Sequence, residues 1–449
     1  MFTLFKLLPA PILRALSAFF LLIHSSLAFS QPTDSSRNGR FTIHAQTTVI
    51  NQTKPSFSAR YSGDNSLSTA RESMTSLTAT LFAGMRLWKG ASVYLNPEIA
   101  GGSGLSQALG IADATNGETF RIGNPTPKIY LARLYYKQLI SLTGERQYQS
   151  DGFNQVAGYL PTRYIALTFG KVSIADFFDA NKFSHDARTQ FMSWGLMNNG
   201  AWDYPANTRG YTPSLVLEYI TPKHEFRYGF SLMPLTANGN DMNWDISKSG
   251  SHTLEYTHRH MIGGKRGAIR LLTFYTTTNM GSYRQSLALS PLNPDIKATR
   301  AYGRTKYGVG INAEQDITST LGCFFRASWN DGNNETWAFT EIDRSISAGF
   351  VMAGDKWKRE NDNIGLAYVT SGISAPHRDY LKAGGKGFML GDGNLDYAWE
   401  QLVEIYYSAA LVKNELYVTG AYQFLFAPGY NLDRKGPVHI FSVRVHARI

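Results

Sequence analysis

Residues 75–88 alternate between apolar and polar side chains more regularly than any other stretch. Leu77, Ala79, Leu81, Ala83, Met85 and Leu87 fall on one face; Ser76, Thr78, Thr80, Gly84 and Arg86 fall on the other. A helix would mix these two sets, so the period of two predicts a strand. The pair Lys89-Gly90 makes a tight turn into 91–100, where Val93, Leu95 and Ile99 alternate with Tyr94, Asn96 and Glu98. The same pattern predicts strands near 41–52, 75–88, 91–100, 129–141, 164–172, 213–221, 225–232 and 252–260. It continues at 267–279, 307–317, 321–331, 342–352, 362–371, 401–411, 416–426 and 438–449. Roughly 9–11 alternating residues suffice to cross a bilayer as a tilted strand. Several segments, such as 164–172 and 225–232, are short, so fourteen to eighteen strands stay open.

The connections alternate in length. Long ones fall at 53–74, 101–128, 173–212, 233–250, 280–306, 332–341, 372–400 and 427–437. Short ones fall at 89–90, 222–224, 261–266, 318–320, 353–361 and 412–415, with 142–163 the one long member of that set. Membrane barrels keep short turns on the periplasmic side and long loops outside; a β-sandwich has no reason to do so. The expected fold is all-β: a closed antiparallel transmembrane barrel of about sixteen strands. Closure follows from the solvent, because each unpaired N–H or C=O in hydrocarbon costs several kcal/mol. The first strand (Phe41, Ile43, Ala45) should therefore pair with the last. In that last strand Phe441, Val443, Val445, Ala447 and Ile449 face one way, and Ser442, Arg444, His446 and Arg448 the other. Trp88, Tyr130, Tyr136, Trp329 and Tyr407 lie near strand ends and are candidates for aromatic girdles. If the faces are read correctly, Leu81 meets lipid and Thr80 the bore, so a basic residue should be harmful at 81 and tolerated at 80.

Composition adds export. Lys6 and Arg14 precede a short apolar run, ALSAFFLLI, and Ala28-Phe29-Ser30 fits a small-x-small cleavage site. Residues 1–30 read as a secretory signal peptide and 31–449 as the barrel. The formal charge is +10, or +8 without residues 1–30, and no basic block suits nucleic acid. Cys323 is the single cysteine, which excludes an internal disulfide and a thiolate metal site. Aromatics reach 13%, with 25 Tyr and 41 Gly, at a mean hydropathy of −0.24. That combination suits a barrel whose every second strand residue faces lipid.

Catalytic signatures are poor. Gly102-Ser103-Gly104 lacks the third glycine and the βαβ context of a nucleotide fingerprint. His258 and His260 share one strand face, but two imidazoles near a short turn read as a solvated pair rather than a metal site. No enzyme activity, cofactor or metal is expected.

A polar bore remains. Arg86, Glu98, Arg133 and Lys137 are expected to line it, with Glu218, Arg227, Glu255, Arg259, Glu314, Arg326, Glu404 and Arg444 on further inward positions. Both signs are present, which suits a neutral solute better than a one-sign ring would. The longest stretch without strand alternation, 176–211, combines flat rings with fixed polar groups, the two things a sugar needs. Folded into the bore, it would set a constriction through Asp179, Asp186, Arg188, Trp194, Asn199, Trp202, Asp203 and Arg209. The plainer alternative is a loop whose rings pack on the wall and whose charges merely narrow the hole. An anion or phosphate pore is the competing transport reading, given a pI near 9.4. An outer-membrane enzyme or a glycan-binding surface barrel are the others. Expected partners are small sugars, outer-membrane lipid and the barrel-assembly machinery. Whether the barrel stands alone or trimerises is left open by the residues themselves.

Several blocks carry a family resemblance. They are HAQTTVINQTKPSF followed by YSGDNSL, then YLNPEIAGGSGLS, NGETFRIGNPTPKIYLARLYYKQ and FGKVSIADFFDANKFSHDARTQFMSWGLMNNGAWDYPANTRGY. Together they span much of 42–211, and similarity continues more weakly to the C-terminus. The chain resembles the carbohydrate-selective outer-membrane porin family, especially its Bacteroidetes-like members. The resemblance implies a sixteen-stranded barrel, passage of sugars down their gradient and inward-folded loops that narrow the channel. It leans toward a monomer. Barrels of this kind usually end on an aromatic residue, and Ile449 departs from that. The resemblance supplies no matched substrate-contacting residues.

Overall fold

Sixteen long strands pair edge to edge and close on themselves. In chain order the strands are β1 (Phe41–Lys54), β2 (Glu72–Trp88), β3 (Ala91–Gly102), β4 (Lys128–Ser141), β5 (Arg146–Gln149) and β6 (Gly158–Pro161). They continue with β7 (Tyr164–Val172), β8 (Thr212–Ile220), β9 (His224–Ser231), β10 (Gly250–Ile262), β11 (Lys265–Thr278) and β12 (Arg304–Asp316). The last six are β13 (Leu321–Asn330), β14 (Arg344–Gly354), β15 (Arg359–Gly372), β16 (Glu400–Val412), β17 (Leu416–Phe426) and β18 (Val438–Arg448). The computed structural model describes residues 39–118, 126–434 and 436–449, so the signal peptide expected over 1–30 lies outside the described residues. The barrel comprises β1–β4 and β7–β18, and the sixteen expected strands differ from it by at most three residues at either end. Closure joins β1 to β18 in antiparallel register, from Gln46 opposite Arg448 to Thr53 opposite Phe441. Among the described residues no helix is long and apolar enough to cross a membrane; the crossing is made by strands.

The alternation sorts the side chains. On β2, Leu81 is 43% exposed on the outer face while Thr80 beside it is 2% exposed and points inward. On β11, Ile269, Leu271 and Tyr275 face out while Arg270, Leu272 and Phe274 are buried inside. Rings gather at both rims: Trp88 with Tyr136 and Trp357 with Tyr407 at the end of the short turns, Tyr307 with Trp329 at the end of the long loops. Tyr130 departs from the girdle expectation. The β3–β4 register slips by one residue opposite Asn96 and Pro97, leaving Ala132 as an extra residue. A bulge of this kind inverts the alternation beyond it. It turns Tyr130 into the barrel, where its hydroxyl donates to Glu98.

The long turn-end connection 142–163 carries β5 and β6 as a separate two-stranded sheet. Its tip docks against the barrel interior. Phe153 stacks on Phe82 at 4.5 Å, and Asn154 and Asn96 exchange hydrogen bonds of 2.9 and 3.0 Å. Among the described residues the long loops carry three short α-helices, α1 (Trp194–Met197), α2 (Tyr283–Leu289) and α3 (Ala375–Lys382).

Candidate permeation site

The segment 173–211 between β7 and β8 lacks strand pairing, so its backbone N–H groups need acceptors from elsewhere. Wall carboxylates supply them. Glu255 on β10 accepts from Asp179 N at 2.6 Å, and Glu404 on β16 accepts from Met192 N and Ser193 N at 2.7 and 3.0 Å. Wall cations satisfy its carbonyls: Arg326 on β13 donates to the Leu196 and Ser184 oxygens, and Arg444 on β18 to those of Ala187 and Gln190. Missing side chains on the wall make room. A Cβ at Gly310 on β12 would come within 2.8 Å of Asn199 Nδ2, and one at Gly322 on β13 would collide with the Phe183 ring.

This docking uses four of the residues expected at a constriction. The Asp179 carboxylate meets Arg326 Nε at 3.2 Å, Asn312 Nδ2 at 2.6 Å and Asn199 N at 2.6 Å. Asn199 completes that knot through Nδ2, 2.8 Å from Asp179 Oδ1. Asp203 accepts from the backbone N–H groups of Trp337, Ala338 and Phe339 at 2.8–2.9 Å. Trp202 is 1% exposed, packed edge-on to Phe178 and against Tyr204. Asp179, Asn199, Trp202 and Asp203 therefore lie away from open space, because their polar atoms and ring faces hold the segment down.

The other four, Asp186, Arg188, Trp194 and Arg209, line a cavity of about 710 Å³ that Glu98, Arg133 and Lys137 also line. Arg86 is placed elsewhere; it donates to the Ala157 carbonyl at the turn end. Arg188 stands at the centre. Its guanidinium meets Glu98 at 3.0 Å, Glu118 at 2.6 Å and Thr80 Oγ1 at 3.2 Å. Glu98 also accepts from Thr80 at 2.5 Å and from the hydroxyls of Tyr130 and Tyr211. Arg133 grips Asp176 with two bonds of 2.6 and 2.7 Å and lies 5.1 Å from the Tyr211 ring, while Arg209 lies 4.0 Å over Tyr130. Lys137 and Arg227 both pair with Glu218. Trp194 stacks on Phe339 at 4.3 Å. Burial pushes the Glu118 carboxyl above its ordinary range although Arg188 opposes the rise; Asp186 is buried too, but there Arg188 prevails and lowers it.

Sequence reasoning missed Glu118, Tyr130, Asp176, Tyr211 and Phe339. The bulge hid Tyr130. Glu118 and Phe339 sit in loops far along the chain from 176–211, where no periodicity marks orientation. A second cavity of about 370 Å³ lies toward the turn end and shares Arg188, Thr189, His446 and Arg448 with the first. Among the described residues no three His, Cys, Asp or Glu side chains are grouped to hold a metal ion.

A closed sixteen-stranded barrel, apolar outside and lined with charged and hydroxyl groups inside, defines an outer-membrane channel of the porin class. The chain matches the family described as carbohydrate-selective porin, OprB family, over residues 64–448, and it belongs to that family. It is an outer-membrane carbohydrate porin, and its family and fold are those of channels rather than enzymes. Among solved structures, Pseudomonas putida OprB at high pH superposes with a TM-score of 0.68 at 17% identity, covering 91% of this chain and 94% of that one. The low-pH form of P. putida OprB gives 0.50 at 13% identity, covering 91% and 93%. The outer membrane channel DcaP of Acinetobacter baumannii gives 0.50 at 10% identity, covering 92% and 99%. These likenesses speak for the fold. No curated protein matches the chain by sequence.

Proposed function

We propose that mono- or oligosaccharides diffuse between the segment 176–211, folded into the lumen, and the wall formed by β2–β4 and β7–β9. The observation that carries this reading is the Arg188 cluster. One guanidinium from the segment bridges Glu98 of the wall and Glu118 of a second loop, beside the Tyr130 and Tyr211 rings. Hydroxyl-rich solutes need planar donors and acceptors held in place and an apolar ring face for their C–H groups; this cluster offers both. The cavity lining holds five carboxylates and six Arg or Lys side chains, so the charges nearly cancel. A balanced field favours neutral solutes over ions. Residues 1–30 serve as the export signal in this reading, and the barrel acts as a monomer.

The test is single-channel recording in planar bilayers with a panel of sugars. Sugars are expected to block the ion current reversibly. Arg188→Ala should raise ion conductance, weaken sugar block and shift the reversal potential in a KCl gradient toward cation preference, since Glu98 and Glu118 lose their counter-charge. An Arg188→Ala channel with unchanged block and unchanged selectivity would remove the cluster from the pathway.

A further inference from the structure

We propose that the turn-end cavity is a second sugar subsite, selective for a sugar that carries a carboxylate, with Arg448 and His446 as its specificity-determining residues. The inference rests on the sugar pathway above and adds a substrate class to it.

The two cavities differ in charge. The larger is nearly balanced, whereas the smaller is lined by Lys182, Arg188 and Arg448 against one carboxylate, Asp316. That carboxylate is already held by Lys182 at 2.5 Å, and Arg188 is held by Glu98 and Glu118 on its other side. Arg444, His446 and Arg448 occupy alternate positions on the inward face of β18; Arg444 lies in the field of Asp186, Glu404 and Glu118, which leaves the Arg448 charge as the one free to meet a solute in this cavity. Neither arginine has a carboxylate within ion-pair distance among the described residues. Arg444 bonds to the Ala187 and Gln190 carbonyls and to Thr419 Oγ1; Arg448 bonds to the Asn414 carbonyl.

His446 points to a ligand independently of charge. It is 2% exposed and lines both cavities. Its Nδ1 meets Thr48 Oγ1 at 2.9 Å, while Nε2 has no hydrogen-bond partner among the described residues. A buried polar atom left unpaired is costly unless something visits it. Positions two apart on a strand stand about 7 Å from each other, the reach of one pyranose ring. A sugar acid lying along β18 would place its carboxylate on the Arg448 guanidinium and a ring hydroxyl on His446 Nε2. Tyr417, which also lines the cavity, lies 5.6 Å from the Arg448 guanidinium and offers a flat face beside it. Charge-assisted bonds to a carboxylate are stronger than those to a neutral hydroxyl. A neutral hexose would therefore pass this point with less delay than its uronate.

The experiment compares current block by glucose, glucuronate and inorganic phosphate in bilayers holding the full channel. For the unaltered channel, glucuronate should block at about tenfold lower concentration than glucose, the worth of one charge-assisted bond. The excess should shrink as salt is raised, and phosphate, which can meet Arg448 but lacks the ring that reaches His446 and Tyr417, should block less well than glucuronate. Arg448→Gln should bring glucuronate to the level of glucose, Arg448→Lys should keep part of the excess, and His446→Leu should weaken glucuronate block. Equal block by glucose and glucuronate in the unaltered channel would overturn the subsite, as would an excess that survives Arg448→Gln. Phosphate blocking as strongly as glucuronate would also overturn it, since the ring would then be irrelevant. If Arg448→Gln does not assemble, the salt series on the unaltered channel decides: an excess insensitive to salt overturns the proposal. Absence of block by glucose itself would instead strike at the sugar pathway from which the inference starts.

Discussion

Asp179 and Arg188 both belong to the segment 173–211, yet they do opposite things with their charge. Asp179 is enclosed by Arg326, Asn312 and Asn199 and faces no open space. Arg188 is anchored just as firmly but borders both cavities. Removing a partner from a buried pair leaves an uncompensated charge, which typically costs 3–5 kcal/mol. Arg326 is 1% exposed, so Asp179→Ala should fall in that range. The loss should appear as early proteolytic cleavage within 173–211 while the barrel keeps its heat-resistant mobility; an unchanged cleavage rate would refute the anchoring role. Which polar residues turn toward solute and which toward backbone was not legible in the chain. Asp203 illustrates the reason. Its partners are N–H groups of 337–339, more than a hundred residues away, and no local pattern encodes that meeting. The inward wall residues Glu98, Arg133 and Lys137 were legible, because strand alternation assigns a face to every position.

The strands were readable because each faces two solvents, lipid outside and a polar interior within, and that difference writes a period of two into the sequence. The reading failed where the backbone breaks its own period, at the bulge beside Ala132, and it gave no hint that 142–163 would return to the interior through Phe153 and Asn154. Strand alternation gives a glycine a face but no purpose; Gly310 and Gly322 are the recesses into which the segment fits. Gly310→Val should leave strand pairing intact, displace Asn199 and its neighbours, and alter single-channel conductance. Unchanged conductance and unchanged sugar block would show that the recess is not needed. At the loop end, α3 is fastened by Ser374 at its N-cap and by His377, which meets Asp343 at 3.0 Å. Burial favours the neutral Asp343 carboxyl, but the His377 charge and hydrogen bond outweigh it and hold the group down to about 2. A carboxyl depressed from 3.8 stabilises the fold fully above that value and loses its contribution as pH falls toward 2. Hydrogen exchange over 375–382 should therefore accelerate between those limits, and His377→Gln should move the acceleration to higher pH. A flat profile across that window would mean the pair does not fasten α3.

At the scale of the whole molecule the barrel is lopsided. The segment's backbone is held by β10, β12, β13, β16 and β18, and the large cavity is lined by β1–β4, β8, β9 and β18. The wall must therefore do two jobs at neighbouring positions, and β2 tests whether it does. Leu81 stands on the outer face opposite Ala45 of β1, whereas Thr80 points inward and donates to Glu98. A basic side chain facing lipid near the midplane costs ~2–4 kcal/mol, so Leu81→Arg should reduce the fraction of heat-resistant, folded barrel. Thr80→Arg should be tolerated with a shift in conductance. The new guanidinium would enter beside Arg188 and compete with it for Glu98, so the barrel should still assemble but conduct less and bind sugar more weakly. Comparable loss of assembly in both variants would mean that the two faces of β2 are not separated into lipid and lumen, and the placement of the cavity on this side of the barrel would fall with them.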